Sequence, residues 1–357
     1  AEFKWLKSGE RPRAQKLKEE AKAVELIEEI KKFQQMRVES VEKKEQKKKP
    51  QPPFTTSDMQ AKAALGLKLD AARTMSLAQS LYEDGHITYH RTDSYTISDE
   101  ALAMVRAEIL KTYGQDYLPA KALTVKAKAG AQEAHECIRP TSLGATVPPG
   151  LAGEKLKLYE LIRNQFISSQ MSEGIDALTV VRLEAGAYVF EARGRVEIFD
   201  GFRRLNRDEI EEKSSKAKEQ DEEEKQTLPN LETDDQVDIE RLEKKEQKSK
   251  PPPRYSESSL IKKLEREGIG RPSTYATIVD TIKKRNYVRV EKQRYYAEEL
   301  GLQVTDYLVE RFPRVMQLDF TRVCETRLDS IGSGNLDYRE FLGKFWTYLK
   351  TQLYGKK

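Results

Sequence analysis

The chain has 357 residues, 34% of them charged, and a formal net charge of +4. This length predicts two or three domains, and the mixture of both charge signs excludes a uniformly basic surface while allowing a local basic groove. No apolar run approaches the roughly 20 residues that span a bilayer, so we expect no membrane partner; the widely separated Cys137 and Cys324 predict neither a disulfide framework nor a metal site, which favours a reducing cytoplasm.

The first predicted elements are a helix, an exposed strand and a hinge. Apolar residues at helical spacing predict an amphipathic helix over residues 13–33, and an alternating pattern predicts a strand over residues 36–47. Pro50 to Pro53 then form a stiff hinge that lacks several backbone donors. The sequence opens at Ala1 rather than at a methionine, and we interpret it as part of a longer protein.

A weak internal repeat accompanies this hinge. Residues 42–50 recur as residues 243–251 with nearly the same Lys/Glu-rich sequence. Each copy is followed by prolines, an aromatic residue and a hydroxyl-rich turn, Thr55-Thr56-Ser57 or Ser256-Glu257-Ser258, and each turn can cap the next helix. We interpret the repeat as two parallel exits from one shared β-domain; the alternative is low-complexity sequence.

The middle of the chain changes from helical to strand patterns. Helices are predicted over residues 59–69, 71–84, 98–113 and 152–171, followed by strands over residues 178–183 and 188–192. Residues 208–226 are nearly all charged, which predicts a solvated or mobile insertion.

The last third returns to helical patterns. A strand is predicted over residues 236–240, and helices from Leu260 onward. The runs 287–290 and 294–297 are separated by only three residues, which predicts a hairpin between them.

The segment from Glu83 to Ser94 carries the most chemistry. Tyr89 lies two residues before Arg91, at the end of a short β-branched run. A protonated phenol is a poor nucleophile, and a fixed cation beside it favours the phenolate and can hold a phosphate. On these residues alone, Tyr89 can equally be a packing residue at the end of a strand.

Three segments resemble the signatures of one family and occur in the same order. They are residues 83–94, residues 131–141, and the stretch from Tyr255 through Gly268-Ile269-Gly270-Arg271-Pro272-Ser273-Thr274-Tyr275 to Val288. Together they resemble type IA DNA topoisomerases. The bacterial topoisomerase I class is closer than reverse gyrase, although His90 is also typical of reverse gyrases.

The resemblance implies roles for the first two segments. Tyr89 would attack a DNA phosphodiester and become linked to the 5′ phosphate, while Arg91 would hold the scissile phosphate; its alternative is a surface salt bridge. His135, flanked by acids that favour its protonated form, would contact phosphate or join the acid/base network, and Arg139 would bind phosphate. The resemblance implies that the loop geometry and the orientation of the Arg91 side chain depend on Glu83, Asp93 and Ser94.

The glycine-containing segment predicts a phosphate cradle for single-stranded DNA. Glycines allow close approach of the backbone, and Arg271, Ser273 and Thr274 offer donors near a helix N-terminus that favours anions. The alternative is an ordinary loop and helix cap. Tyr275 can stack on a base or belong to the core. Two further candidate backbone contacts are Arg285 and Arg289.

The resemblance also implies a catalytic Toprim domain that this sequence does not show. Type IA enzymes use a Glu and an Asp-x-Asp cluster there to bind Mg²⁺. We find no strand followed by such a cluster, and we do not interpret Asp234-Asp235 as a metal site. We therefore predict Mg²⁺ binding in the full-length enzyme and no metal or cofactor bound by this chain. No four-cysteine zinc ribbon follows residue 340.

The predicted fold class is α+β, with several domains. A β-rich hinge domain comprises 1–53 and 174–252, a helical gate domain 54–173, and a partial helical DNA-binding domain 253–357. The expected function is cleavage, passage and resealing of single strands, which relaxes negative supercoils.

The expected partners are single-stranded and negatively supercoiled DNA, and we expect a monomer in the cytoplasm associated with the nucleoid. For this chain alone we expect single-strand binding without plasmid relaxation. The alternatives are the topoisomerase portion of a reverse gyrase and a DNA-binding paralogue that never cleaves.

Overall fold

An antiparallel five-stranded sheet dominates one part of the molecule in the computed structural model, which describes residues 2–5, 20–124, 135–144, 147–205, 228–244, 246, 248 and 251–355. Its strands in chain order are β1 (Glu2–Trp5), β2 (Gln35–Lys48), β3 (Gly174–Ala185), β4 (Tyr188–Phe199) and β5 (Gln236–Asp238). Their order across the sheet is β1-β4-β3-β2-β5. The long strands β2 and β3 are therefore neighbours although residues 49–173 separate them in sequence.

The predicted strands are confirmed, and β3 and β4 are longer than their apolar runs. Charged residues extend both strands because cross-strand partners pair them, as where the guanidinium of Arg195 on β4 pairs with the carboxylate of Asp176 on β3. The β3–β4 turn uses Gly186 at a φ of 60°. A side chain there would also overlap the ring of Phe33, so both backbone and packing require glycine.

A small apolar core lies under this sheet. Helix α1 (Glu20–Ile30) contributes Ile30, which packs with Val38, Val181 and Phe190. The predicted helix over residues 13–33 is thus confirmed from residue 20, and its first residues lie outside the described part of the chain. The charged stretch 208–226 also lies outside it.

The chain divides into two compact units. The first comprises Ala1–Gln51, Tyr113–Pro119 and Gln170–Pro251, and the second comprises Pro52–Thr112, Ala120–Ser169 and Pro252–Lys357. The second unit contains most residues of both the predicted gate and DNA-binding domains. The three-domain division stays a prediction.

The second unit is mainly helical. Its helices are α2 (Thr56–Lys62), α3 (Ala71–Glu83), α4 (Asp99–Tyr113), α5 (Gly153–Ser168), α6 (Glu257–Glu267), α7 (Tyr275–Lys284), α8 (Glu299–Arg311), α9 (Leu318–Gly332) and α10 (Tyr338–Tyr354). The helix predicted over residues 59–69 is divided, because α2 continues as a π-helical turn over Ala63–Leu67. The hairpin is confirmed: β6 (Val288–Glu291) pairs with β7 (Arg294–Ala297).

Both predicted helix caps are present. Thr55 closes a capping box with Asp58 at the start of α2, and Ser256 closes one with Ser259 at the start of α6. The two turns of the internal repeat therefore perform the same task, since each satisfies backbone N–H groups that a helix start leaves free.

Two apolar clusters position the functional loops. One includes Leu81, Ile87 and Ile138, which join α3 to the segments on either side of Tyr89. The other includes Tyr275, which is the core alternative predicted for that residue. The mixed fold class α+β is confirmed. Among the helices of the described residues, none combines the length and apolar character that crossing a membrane requires.

Candidate functional site

The two predicted motifs of the second unit lie side by side. Ile87 forms an isolated antiparallel bridge with Pro140. The N–H of Thr88 donates to the carbonyl oxygen of Arg139 over 2.9 Å, and the N–H of Arg139 donates to Oγ1 of Thr88 over 3.0 Å. The residues before Tyr89 are therefore fixed by the second motif.

The residues after Tyr89 are fixed by the start of α2. Oγ1 of Thr56 donates to the carbonyl oxygen of His90 over 2.8 Å and accepts from the N–H of Thr92 over 2.9 Å. The N–H of Thr56 donates to the carbonyl oxygen of Thr92, also over 2.9 Å. A single buried threonine thus anchors the backbone on both sides of Arg91.

The Tyr89 ring belongs to a group of four aromatic rings. It is 39% exposed. Its centroid lies 5.3 Å from that of Tyr82, 5.4 Å from that of His90 and 5.8 Å from that of His135. The structure therefore brings the predicted nucleophile and the predicted histidine together, although they are 46 positions apart in the sequence numbering. We call these four rings the aromatic cluster.

His90 is the buried member of the aromatic cluster. Its side chain is inaccessible to solvent, and neither ring nitrogen has a hydrogen-bond partner within the described residues. Burial and the charge of Arg91 lower the pKa of His90 to about 4, and Glu83 opposes this only in part. The sequence showed His90 only as a family marker, because no local pattern indicated its burial.

Arg91 and Arg139 differ in their partners. Arg91 is exposed and forms no hydrogen bond or ion pair within the part of the chain that the structure describes. The side chain of Arg139 is 13% exposed; its Nη2 lies 2.5 Å from Oε2 of Glu136, and its Nη1 donates to the carbonyl oxygen of Pro140. Arg91 is thus available to an incoming anion, whereas Arg139 already holds the loop together.

The turn before α7 has a similar division of tasks. Oγ1 of Thr274 accepts from the N–H of Arg271 over 2.8 Å, and the guanidinium of Arg271 lies 3.2 Å from Asp329 and 3.5 Å from Glu325. Ser273 is exposed and its hydroxyl has no partner within the described residues. Thr274 therefore shapes the turn, and Ser273 is the free donor.

The loop after Tyr89 acts electrostatically on the first turn of α7. Burial raises the pKa of the Tyr275 phenol most strongly, and the carboxylates of Glu265 and Asp93 raise it further. Asp93 follows Arg91 by two residues, so its charge reaches the helix that carries the predicted cradle. The roles predicted for Tyr89, Arg91, His135, Arg139, Arg271, Ser273 and Thr274 remain predictions.

An ion pair that sequence reasoning missed links α2 to α6. Nζ of Lys262 lies 2.6 Å from Oδ1 of Asp58, whose other oxygen accepts from Thr55 over 2.6 Å and from Tyr95 over 3.0 Å. Burial alone would raise the pKa of Asp58, but Lys262 and these hydroxyl groups hold it below its usual range. Asp58 follows the predicted cap, but its partner is about two hundred positions away.

Metal binding has no visible basis among the residues that the structure describes. Within the described ranges, no group of three or more His, Cys, Asp or Glu side chains is arranged to hold a metal ion. These residues do not fit Mg²⁺, so no chemical step below is assigned to it. The expectation that Mg²⁺ binds elsewhere in the full-length enzyme stays a prediction.

Comparisons with known proteins agree on one family. Residues 3–343 match the DNA topoisomerase family. DNA topoisomerase 1 of Rickettsia prowazekii is 42% identical over 343 residues, which cover 92% of this chain and 43% of the relative. DNA topoisomerase 1 of Vibrio cholerae is 42% identical over 300 residues, which cover 84% of this chain and 33% of the relative.

A solved structure gives the same result. Full-length topoisomerase I from Thermotoga maritima matches with a TM-score of 0.77 and 31% identity, over 92% of this chain and 54% of that one. The chain therefore belongs to the DNA topoisomerase family, and the resemblance to the type IA class is confirmed. It spans less than half the length of the two curated relatives.

Proposed function

We propose that this chain is the part of a type IA DNA topoisomerase that carries the cleaving tyrosine. The observation that supports this most directly is the exposed phenol of Tyr89, whose ring lies 5.8 Å from that of His135, two residues before the exposed and unpaired guanidinium of Arg91. A nucleophile, a free cation and a titratable ring on one accessible surface suit attack on a phosphodiester.

The reaction is a transesterification. Oη of Tyr89 forms a bond to phosphorus while the bond from phosphorus to the 3′ oxygen breaks. The phenol loses a proton and the departing 3′ hydroxyl gains one, so atoms and charge balance. The 5′-phosphotyrosyl bond retains the energy of the phosphodiester, and resealing by the reverse reaction therefore needs no ATP.

The surrounding side chains hold the substrate. Arg91 binds the scissile phosphate and stabilises its developing charge with a planar fork of donors. His135, which approaches Tyr89 from the second motif, contacts that phosphate or carries a proton. Ser273 and the backbone before α7 bind a neighbouring phosphate, with Arg271 and Thr274 keeping the turn in shape.

The whole enzyme opens the cut strand, passes another strand and reseals it, which relaxes negative supercoils. The closed contact between α2 and α6 through Asp58 and Lys262 is the part of the second unit that must separate when a strand enters. We further propose that the enzyme acts as a cytoplasmic monomer associated with the nucleoid, and that Mg²⁺ is held outside this chain.

The nucleophile is tested by Tyr89→Phe in a form of the protein that includes the remaining length of its relatives. The variant should form no covalent adduct with a labelled single-stranded oligonucleotide, yet bind it almost normally, because only one hydroxyl oxygen is lost. Tyr95→Phe removes a phenol oxygen six positions away and should keep the adduct. An adduct that persists in Tyr89→Phe rules out this nucleophile.

The chain alone should bind single-stranded DNA weakly and with modest salt dependence. On single strands, each neutralised phosphate lowers log K by about 0.7 for every tenfold rise in salt concentration. Arg91 and the cradle before α7 supply only a few phosphate contacts, so the total slope should be small. It should relax no supercoiled plasmid at any Mg²⁺ concentration. Relaxation by the purified chain would reveal a metal site among its own residues.

A further inference from the structure

Tyr82 has a position that the proposed cleavage chemistry does not use. It lies in the last turn of α3, directly after Leu81, which is completely buried in the apolar core. The Tyr82 ring is 40% exposed, and its hydroxyl has no partner within the described residues. A large ring at the surface beside a nucleophile is available to a ligand, because core packing does not occupy it.

The geometry of the two phenols separates their tasks. The rings of Tyr82 and Tyr89 lie 5.3 Å apart with an angle of 65° between their planes. A flat ligand that stacks on Tyr82 is therefore steeply inclined to the Tyr89 ring and cannot stack on both. Tyr89 remains free to present its oxygen to a phosphate.

The buried side of the pair is closed by an uncharged ring. The centroid of His90 lies 6.0 Å from that of Tyr82 and 5.4 Å from that of Tyr89. Burial and Arg91 keep this imidazole neutral near pH 7, since its pKa is lowered to about 4. Arg91 follows His90 directly in the chain, is exposed, and its charge acts on the His90 ring.

An exposed aromatic ring and an exposed, unpaired cation in one short segment of the chain form a combination that suits single-stranded nucleic acids. Bases stack on aromatic side chains whatever their identity, while cations follow the phosphates. We propose that Tyr82 is a base-stacking platform for a nucleotide adjacent to the scissile phosphate. This inference rests on the proposed function, because it names how the substrate of that site is held.

The platform predicts a loss of affinity that depends on one base. With the purified chain and a labelled single-stranded oligonucleotide, fluorescence anisotropy at low salt gives the dissociation constant. Tyr82→Ala should weaken binding by about 5- to 150-fold, the range that corresponds to the loss of one stacked base. Tyr82→Phe and Tyr82→Trp should restore the affinity, because both keep a ring. Tyr307→Ala, which removes an exposed tyrosine of α8, is the matched control and should change nothing.

A set of oligonucleotides with one abasic site at successive positions identifies the stacked base. At one position the abasic site should weaken binding by the wild-type chain, and Tyr82→Ala should add no further loss there, since both changes remove the same contact. At all other positions the two losses should add. Tyr82→Leu, which keeps side-chain volume, replaces Tyr82→Ala if the alanine variant has a lower melting temperature.

The outcomes distinguish this inference from the proposed function. If the wild-type chain binds single-stranded DNA and the variants without a ring bind equally well, the platform is refuted while the proposed function stands. Additive losses at every abasic position also refute it, and then Tyr82 only orients Tyr89. If the wild-type chain binds no single-stranded DNA, the proposed function fails and the platform fails with it.

Discussion

At the scale of single residues, the availability of a side chain matters more than its type. Arg91 and Arg139 lie in neighbouring segments and both have guanidinium groups, but only Arg139 is held by a carboxylate, that of Glu136. The sequence predicted both as phosphate ligands, because a motif gives the residue and not its partners. Only the fold, which places Glu136 beside Arg139, separates the two.

Substitutions at Arg91 should therefore alter chemistry without altering stability. Arg91→Lys keeps the charge but loses the planar fork, and Arg91→Ala loses both. Cleavage should slow in that order. Because Arg91 would stabilise developing charge, its loss in the alanine variant should raise the activation free energy of cleavage by about 2–4 kcal/mol. Single-turnover cleavage and thermal unfolding are the measurements.

Arg139→Ala is the comparison for Arg91. It leaves the partly buried Glu136 without its partner, so it should lower the free energy of unfolding by about 1–3 kcal/mol. Equal cleavage rates in the Arg91 variants and the wild type would show that Arg91 has no part in the chemistry.

His90 should make folding stability depend on pH. Its pKa is about 4 in the folded chain, against an ordinary value of 6.5. As the pH falls from about 6.5 to about 4, His90 becomes protonated in the unfolded chain but stays neutral in the folded chain. The free energy of unfolding therefore decreases on acidification. In His90→Met, the decrease in the free energy of unfolding between neutral and acidic pH should be smaller by up to about 3 kcal/mol. Urea unfolding of both proteins at pH 7 and pH 4.5 tests this; parallel pH dependences would contradict it.

At the scale of elements, local sequence patterns predicted which helices and strands form, whereas long-range contacts determine where they end. The caps at Thr55 and Ser256 were predictable because a hydroxyl before a helical run satisfies free N–H groups locally. The extension of β3 and β4 was not, because charged residues such as Arg195 join a strand only when a partner, here Asp176, is available on the neighbouring strand. The pair of Asp58 and Lys262 has no local signal at all.

Two glycines in helices of the second unit should respond to alanine in opposite ways. A Cβ at Gly301, in the first turn of α8, would overlap the carbonyl oxygen of Tyr287. Because this oxygen belongs to the backbone, relieving the overlap would require a shift of the main chain. Gly301→Ala should therefore lower the free energy of unfolding by about 1–3 kcal/mol. Gly343, inside α10, has open space around it.

The matched change Gly343→Ala should raise the free energy of unfolding by about 0.5–1 kcal/mol, because alanine loses less backbone freedom in a helix. Urea midpoints of the two variants measure the difference. A rise for both would show that helix propensity alone governs them and that the contact with Tyr287 does not, whereas a fall for both would contradict the expectation for Gly343.

At the scale of the whole molecule, the two proline segments coincide with two of the five borders between the units along the chain. These two borders fall between Gln51 and Pro52 and between Pro251 and Pro252. Both lie within the segments predicted as hinges, Pro50 to Pro53 and Pro251 to Pro253. Composition alone indicated these two positions, whereas no pattern indicated that Tyr113–Pro119 belongs to the first unit.

Joining α2 to α6 should block strand passage and spare cleavage. Asp58→Cys with Lys262→Cys places two thiols where the ion pair lies, and a short bismaleimide links them, with Cys324→Ser removing a partly exposed thiol. In the full-length enzyme the linked protein should form the covalent adduct but relax no plasmid. The unlinked double-cysteine protein is the control, and normal relaxation after verified linkage would refute opening at this contact.

The separation of β2 from β3 also affects how the protein is made. During synthesis β2 leaves the ribosome long before β3, because residues 49–173 come between them, a wait of roughly 6–25 s at about 5–20 residues per second. An apolar strand with unpaired edges would aggregate in that interval. Most residues of β2 are charged or polar, including a Lys/Glu-rich second half. These charged and polar residues therefore act as gatekeepers, which keep β2 soluble until β3 has been synthesised.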